Sequence, residues 1–332
     1  MTEAIRPTER AHRHAADPAA DRGRAAASPS RIPVRGWKDV LLRVKVEAKQ
    51  DHVMLMAAGV AFFGLLALVP ALVALLSIYG LAFDPDRIDE QLVDALAAAP
   101  AEVRDLISEQ VRSIGDASSG AVVAVVGGVL LALWSASSGM KHLIDAINAA
   151  YDEEETRGFV KVRGLSIAFT VAAVMFLVVA FTIIALLPPL LAASELGAAG
   201  RVVLGVVRFV VLFAGLLIGL AVLYRYAPNR DEPKWSWASP GAVFAAVVWV
   251  LGSLLFSLYT ANFGKYNETY GALGAVIVVM LWLLLTTLVI ILGAELNCEL
   301  ERQTARDTTE GPERPMGARR AYAADTLGPA VK

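Results

Sequence analysis

The sequence predicts an all-α integral membrane protein: six transmembrane helices, both termini in the cytoplasm, and an amphipathic helical outer loop between the first two spans. Three observations carry this. First, the 332 residues are 56% hydrophobic and only 19% charged, with a mean hydropathy of +0.56, whereas a soluble chain charges roughly a quarter of its residues. Second, the apolar residues gather into six runs, at 53–83, 117–140, 164–194, 202–224, 235–264 and 269–294. Each exceeds the ~20 residues that a helix needs to cross about 30 Å of hydrocarbon, and only Arg208 interrupts them. Third, Lys and Arg alternate between the connections. The segment 1–52 holds 11 and loops 141–163 and 225–234 hold 4 and 3, with 6 more after residue 297; loops 84–116, 195–201 and 265–268 hold 3, 1 and 1. The positive-inside rule places the rich side, and both termini, in the cytoplasm.

The remaining segments follow from composition and period. Residues 1–35 and 303–332 are rich in Ala, Arg, Pro and Asp without apolar periodicity, so they are expected to be disordered cytoplasmic tails flanking a membrane domain at 36–302. Trp37, Leu41, Val44 and Ala48 share a helical stripe beside Lys38, Lys45 and Lys49, which suits a helix lying in the headgroup region. Loop 84–116 carries nine acidic residues. Its stripes Ile88, Leu92, Leu96 and Val103, Ile107, Val111, Ile114, divided by Pro100, predict two amphipathic outer helices. Within the spans, Gly215 and Gly219 form a GxxxG pair, and Gly241, Ala245 and Gly252 supply small residues for close helix packing. Pro70 frees the carbonyl of Leu66 and predicts a kink in the first span.

Catalytic chemistry finds no foothold in these residues. Of the histidines, His12 and His14 lie in the tail, and His52 and His142 are far apart in sequence. No HExxH, P-loop, GxSxG or CxxC occurs. A lone cysteine, Cys298, excludes an internal disulfide. Net charge of -2 gives no basic field for nucleic acid. No enzyme activity and no cofactor or metal are expected. The partners expected are membrane lipids, with an anionic lipid as a possible substrate and a homo-oligomer as a possible assembly. Two charged residues within or beside spans stand out. Arg208 lies about 9 Å into the fourth span counted from Arg201 and either snorkels to the outer headgroups or faces inward toward an anion. Glu295 ends the last apolar run and shares a helical face with Glu299; it marks a helix boundary or belongs to a site.

Several stretches resemble the YihY/BrkB family of bacterial inner-membrane proteins, once labelled ribonuclease BN. They are AAGVAFFGLLALVPALVALLSIYG (57–80), LWSASSGMKHLIDAINAAYDEEETR (133–157), LYRYAPNR (223–230) and the region 235–301 ending in GAELNCELE. With their connecting spans they cover roughly 37–302. The first span departs from the family pattern, with Phe62 or Phe63 and Ala67 where tyrosine and serine are usual. The resemblance implies six spans with cytoplasmic termini. It also implies a link to envelope integrity, serum resistance and movement of lipid or lipopolysaccharide. A non-catalytic envelope interaction protein is the alternative, and the ribonuclease label gains no support from the residues. On the matching positions, Arg157, Asn229 and Glu295 either make helix-end hydrogen bonds that hold loops in place or form a polar cluster at the cytoplasmic mouth; with Arg208 they are the substrate-binding candidates. Pro70, Asn148, Pro228, Asn262, Tyr270, Gly271 and Asn297 are expected to hold the structure.

Overall fold

In the computed structural model, residues 22–82, 119–193, 197–262 and 272–330 are described. Among them the chain is helical, save one isolated antiparallel bridge between Pro233 and Thr309. The helices are α1 (Val34–Gln50), α2 (Val53–Ala82), α3 (Ser119–Ala150), α4 (Phe159–Ala193), α5 (Ala198–Tyr226), α6 (Trp235–Asn262), α7 (Ala272–Glu301) and the single turn α8 (Tyr322–Asp325). The outer loop at 84–116, Tyr270 and Gly271 lie outside the described residues, as does the Asn262 side chain.

Stretches Phe159–Ile184, Ala199–Tyr226, Trp235–Thr260 and Val276–Glu301 are long and apolar enough to cross a membrane, and α1 joined to the first half of α2 makes a fifth, bent by 63°. The apolar side chains on these helices are turned outward: Val202, Val206, Phe209 and Val210 on α5, and Leu251, Leu254 and Leu258 on α6, are all exposed. Such a surface is unstable in water and stable in lipid, where α-helices satisfy every backbone group internally. Pro70 lies inside α2, which continues through it.

Helix α7 packs against α1, α2, α3 and α6. Small residues set its approach to α6. A Cβ on Gly241 would stand 2.1 Å from the Gly293 carbonyl oxygen, and one on Gly293 would meet the Tyr224 hydroxyl at 2.3 Å. Tyr224 in turn donates to the Ile290 carbonyl at 2.8 Å. Asn297 bridges the seam, accepting from the Gly241 N–H at 2.7 Å and donating to the Ala238 carbonyl at 3.0 Å. Pro240, inside α6, cannot extend the backbone ladder there, and Asn297 supplies bonds beside the gap. Higher up, Thr287 donates to the Ala57 carbonyl of α2 at 3.0 Å, and the Trp249 indole to Thr286 at 3.0 Å. The GxxxG pair of α5 is split: a Cβ on Gly215 would press on the Phe176 ring, whereas Gly219 has open space.

Two expectations are corrected. Residues 303–330 are not a loose tail, because Gln303, Thr304, Thr308, Ala321 and Ala323 are buried. Arg319 fastens the segment by donating to the carbonyls of Ala305, Arg306 and Ala324 at 2.9, 3.2 and 2.6 Å. Residues 22–35 are likewise packed: Gln303 donates to the Arg22 carbonyl at 2.6 Å, Thr304 to that of Ala26 at 2.7 Å, and Arg22 grips both oxygens of Asp39. Both ends of the described chain therefore meet at one polar end of the bundle. On α1, Trp37 and Val44 of the predicted stripe pack against a buried cluster, and charged residues are enclosed beside them. Gly36, Asp39, Val40 and Arg43 are buried, and Leu41 is exposed. Charged side chains face inward because fixed partners await them, which composition alone does not reveal.

Gly241→Ala is expected to destabilise the protein by at least about 1–3 kcal/mol through overpacking against backbone. Gly219→Ala should be neutral or stabilising by up to about 1 kcal/mol. Thermal unfolding of both variants in lipid nanodiscs checks the contrast.

Candidate functional site

The motif residues at the polar end divide into two groups. The first surrounds the α3–α4 and α5–α6 connections. Asn148, near the end of α3, accepts from the Asn229 N–H at 2.7 Å and donates to Glu155 at 3.0 Å. The Asn229 amide donates to the Glu154 carbonyl at 2.6 Å and to Thr156 at 2.8 Å. Arg157 grips Glu155 with its side chain and its own N–H, and reaches the Ala227 carbonyl at 2.8 Å. The two connections are thereby locked together. Burial alone would raise the Glu155 carboxyl, but the Arg157 guanidinium and N–H outweigh it and hold the group below its usual range.

This lock forms one side of a cleft of about 490 Å³ where the start of α4 meets the end of α5. Arg157, Lys161 and Arg225 bring cationic groups to it, Pro228 and Asn229 form its rim, and Gly164, Leu165 and Ala168 give an apolar wall. Lys161 is exposed. Arg225 is buried, stacked 4.6 Å over the Trp235 ring, and paired with Glu232 at 3.1 Å and Glu310 at 3.4 Å. Its Nε is buried without a hydrogen-bond partner. Its Nη atoms are engaged by the Pro233 carbonyl, Glu232 and Glu310, and Glu232 lines the same cleft. Gly164 and Ala168 lie one turn apart on α4 along this wall.

The second group is the last two turns of α7. Glu295, Glu299 and Glu301 are all buried. Glu301 pairs with Arg230 through two bonds, at 2.9 and 2.7 Å, both side chains fully enclosed. It also accepts from Thr308 at 2.6 Å. Glu299 is held by Arg43 and Arg302, and Arg43 continues to Gln303 at 2.8 Å and the Pro329 carbonyl at 3.1 Å. Burial lowers the Arg230 guanidinium pKa, but Glu301 outweighs it and the net shift is upward. Glu295 points to neither arginine; its neighbour is Asp51, at the α1–α2 junction, within hydrogen-bonding reach. Arg157 and Asn229 thus make the loop-holding hydrogen bonds, and the alternative cluster of Arg157, Asn229 and Glu295 is not one site. Arg157 and Asn229 share the cleft, and Glu295 belongs to a separate carboxyl group.

Arg208 stands apart from both. It lies on α5 about 28 Å from Ala227 at helical rise, half-buried, with its own Phe209 ring 4.7 Å away and its Nε unpartnered among the described residues. Lys161, Arg225, Arg230 and Asp51 were not singled out by sequence reasoning. Both arginines lie within the LYRYAPNR stretch, where the sequence shows them only as loop charge. Among the described residues, no three His, Cys, Asp or Glu side chains stand together as a metal would require.

A family model described as virulence factor BrkB matches residues 44–317. A Bacillus subtilis protein named as ribonuclease-like, YfkH, is 37% identical over 257 residues, covering 74% of this chain and 90% of that one. A UPF0761 membrane protein of Rhodospirillum centenum is 29% identical over 287 residues, or 81% of this chain and 59% of its own length. A shorter match, 35% over 106 residues, links 31% of this chain to 37% of a UPF0761 membrane protein of Idiomarina loihiensis. No solved structure matches.

Two expectations follow from the ion pairs. Glu301→Gln leaves Arg230 buried without its counter-ion and should cost about 3–5 kcal/mol in unfolding free energy, measured by denaturant titration in micelles. For Glu155, whose pKa is depressed on folding, the contribution to stability is present above the usual carboxyl range and drains away as pH falls through the depressed value. Acid melting curves should therefore lose part of their slope in Glu155→Gln.

Proposed function

Because the chain belongs to the BrkB family of membrane proteins, we propose that it binds and moves an anionic amphiphile, a lipid or lipid-linked envelope component, without catalysing a covalent step. The α4–α5 cleft carries this reading: cations at the mouth, a buried and incompletely bonded guanidinium inside, and an apolar wall running along α4. A phosphate-bearing headgroup fits the first two features, and an acyl chain the third. Arg157 and Arg225 receive the headgroup, with Lys161 as the exposed capture group, and Asn229 keeps the rim in place. Arg208, toward the other end of α5, meets a headgroup from the opposite leaflet.

The same reading completes the topology. Six spans, with α2 and α3 as the first two and both termini in the cytoplasm of the inner membrane, put the cleft at the cytoplasmic leaflet and Arg208 in the outer half. The basic connections at 141–163 and 225–234 and the convergence of residues 22–35 and 303–330 on one end support that arrangement. The domain division follows the same lines, with the membrane unit extended by those two packed segments.

Mass spectrometry of lipids retained by the purified protein tests the proposal. Wild type is expected to enrich an anionic class several-fold over bulk membrane. Lys161→Glu should reduce that enrichment several-fold, and Arg208→Ala should reduce it less. A bulk-like lipid profile in wild type, or enrichment untouched by Lys161→Glu, contradicts it. RNA cleavage by stringently purified protein contradicts the non-catalytic reading.

A further inference from the structure

Glu295 is a carboxyl group that has been sealed from solvent without being given a cation. It is 2% exposed, and its Oε1 has no hydrogen-bond partner. The nearby arginines, Arg43 and Arg302, are taken by Glu299 one turn further along α7. What lies within hydrogen-bonding reach is another carboxyl, Asp51. Two carboxylates offer only acceptors, so they join only through a proton held between them. Other groups acting on the pair are mostly negative: Glu47 on α1, Asp152 after α3 and Glu299 on α7, with His52 beside Asp51, Cys298 near Glu295 and Arg302 as a cation acting on Asp51. A charge-bearing pair at this spot meets repulsion from three sides.

The position of Asp51 gives the contact a mechanical meaning. It ends α1, its N–H bonded to the Glu47 carbonyl at 2.8 Å. His52 follows with φ of 53°, in the left-handed region, and there the chain turns by 63° into α2. A histidine in that conformation is strained and persists only where neighbours hold it. The carboxyl contact fastens this corner to α7, which also packs on α2, α3 and α6.

We propose that Asp51 and Glu295 form a proton-binding site, one shared proton clasping the α1–α2 corner to α7 and its departure releasing the corner. The bond broken is one carboxyl O–H. The proton passes to water at the polar end of the bundle, leaving two carboxylates that repel. Burial raises the Asp51 carboxyl above its usual range, and Asp152 beside it likewise, so the site holds its proton where ordinary carboxyls have lost theirs. The clasp is complete at low pH and loosens as pH rises through the raised value, up to tenfold in the clasped-to-released ratio per pH unit for one proton.

This site is independent of the lipid cleft, and its test reads no lipid. Infrared pH-difference spectra of the protein in membranes follow the carbonyl stretch of protonated carboxyls. Between about pH 6 and about pH 11, above the ordinary carboxyl range, wild type is expected to lose such a band. Glu295→Gln and Asp51→Asn, which keep an amide to bridge the remaining carboxylate, are each expected to lack the transition. A band that titrates identically in wild type and either variant overturns the proposal. If a variant does not fold, wild type alone still decides: with no protonated-carboxyl band present at about pH 6, the shared proton does not exist.

Discussion

The last two turns of α7 impose the constraint that organises the polar end of this protein. A helix that crosses an apolar bundle ends here in Glu295, Asn297, Glu299 and Glu301, all buried. Each must find a partner or bear a desolvation cost that the fold could not withstand. The partners come from separate stretches of chain: Asp51 from the α1–α2 corner, Gly241 and Ala238 from α6, Arg43 from α1, Arg230 from the α5–α6 connection and Thr308 from the C-terminal segment. Satisfying one helix end thereby fixes the places of the N-terminal arm, α1, two connections and the final 28 described residues, 303–330.

The apolar part of the bundle obeys a different rule. In lipid there is little hydrophobic gain from joining helices, so approach depends on small residues and single polar contacts. Gly241 against Gly293, Thr287 to Ala57 and Trp249 to Thr286 provide these along α7. Between α4 and α5 the small residues Gly164 and Ala168 line an opening rather than a seam. A tight hub around α7 and a looser α4–α5 face give the molecule a close-packed part and an open cleft.

Hydrocarbon-spanning runs were legible in the sequence because a continuous apolar stretch needs no partner to be recognised, and α4 to α7 fall on four of the runs. The polar end was not. Arg43 and Glu299 lie 256 residues apart, and each in isolation looks like an ordinary solvated charge. Residues 303–330 hold few large apolar side chains, and their order comes from Arg319, Asp307 and Thr304 bonding to backbone. Composition cannot distinguish such a segment from a loose tail. Asn148, Arg157, Asn229 and Glu295 were legible as motif residues, but not as two separate groups, since only the fold sends Glu295 toward Asp51. Lys161 and Arg225 escaped notice because a cleft is formed by two helices and neither sequence stretch announces the other.

Hydrogen–deuterium exchange of Glu299→Leu against wild type tests the organising role of the α7 end most directly. The account predicts that exchange rises together in 22–50 and 303–330, two stretches far apart in sequence that share Arg43, Arg302 and Gln303 as links, while α5 and the middle of α6 keep their protection. Increased exchange confined to the few residues around 299, with both segments still protected, would contradict it.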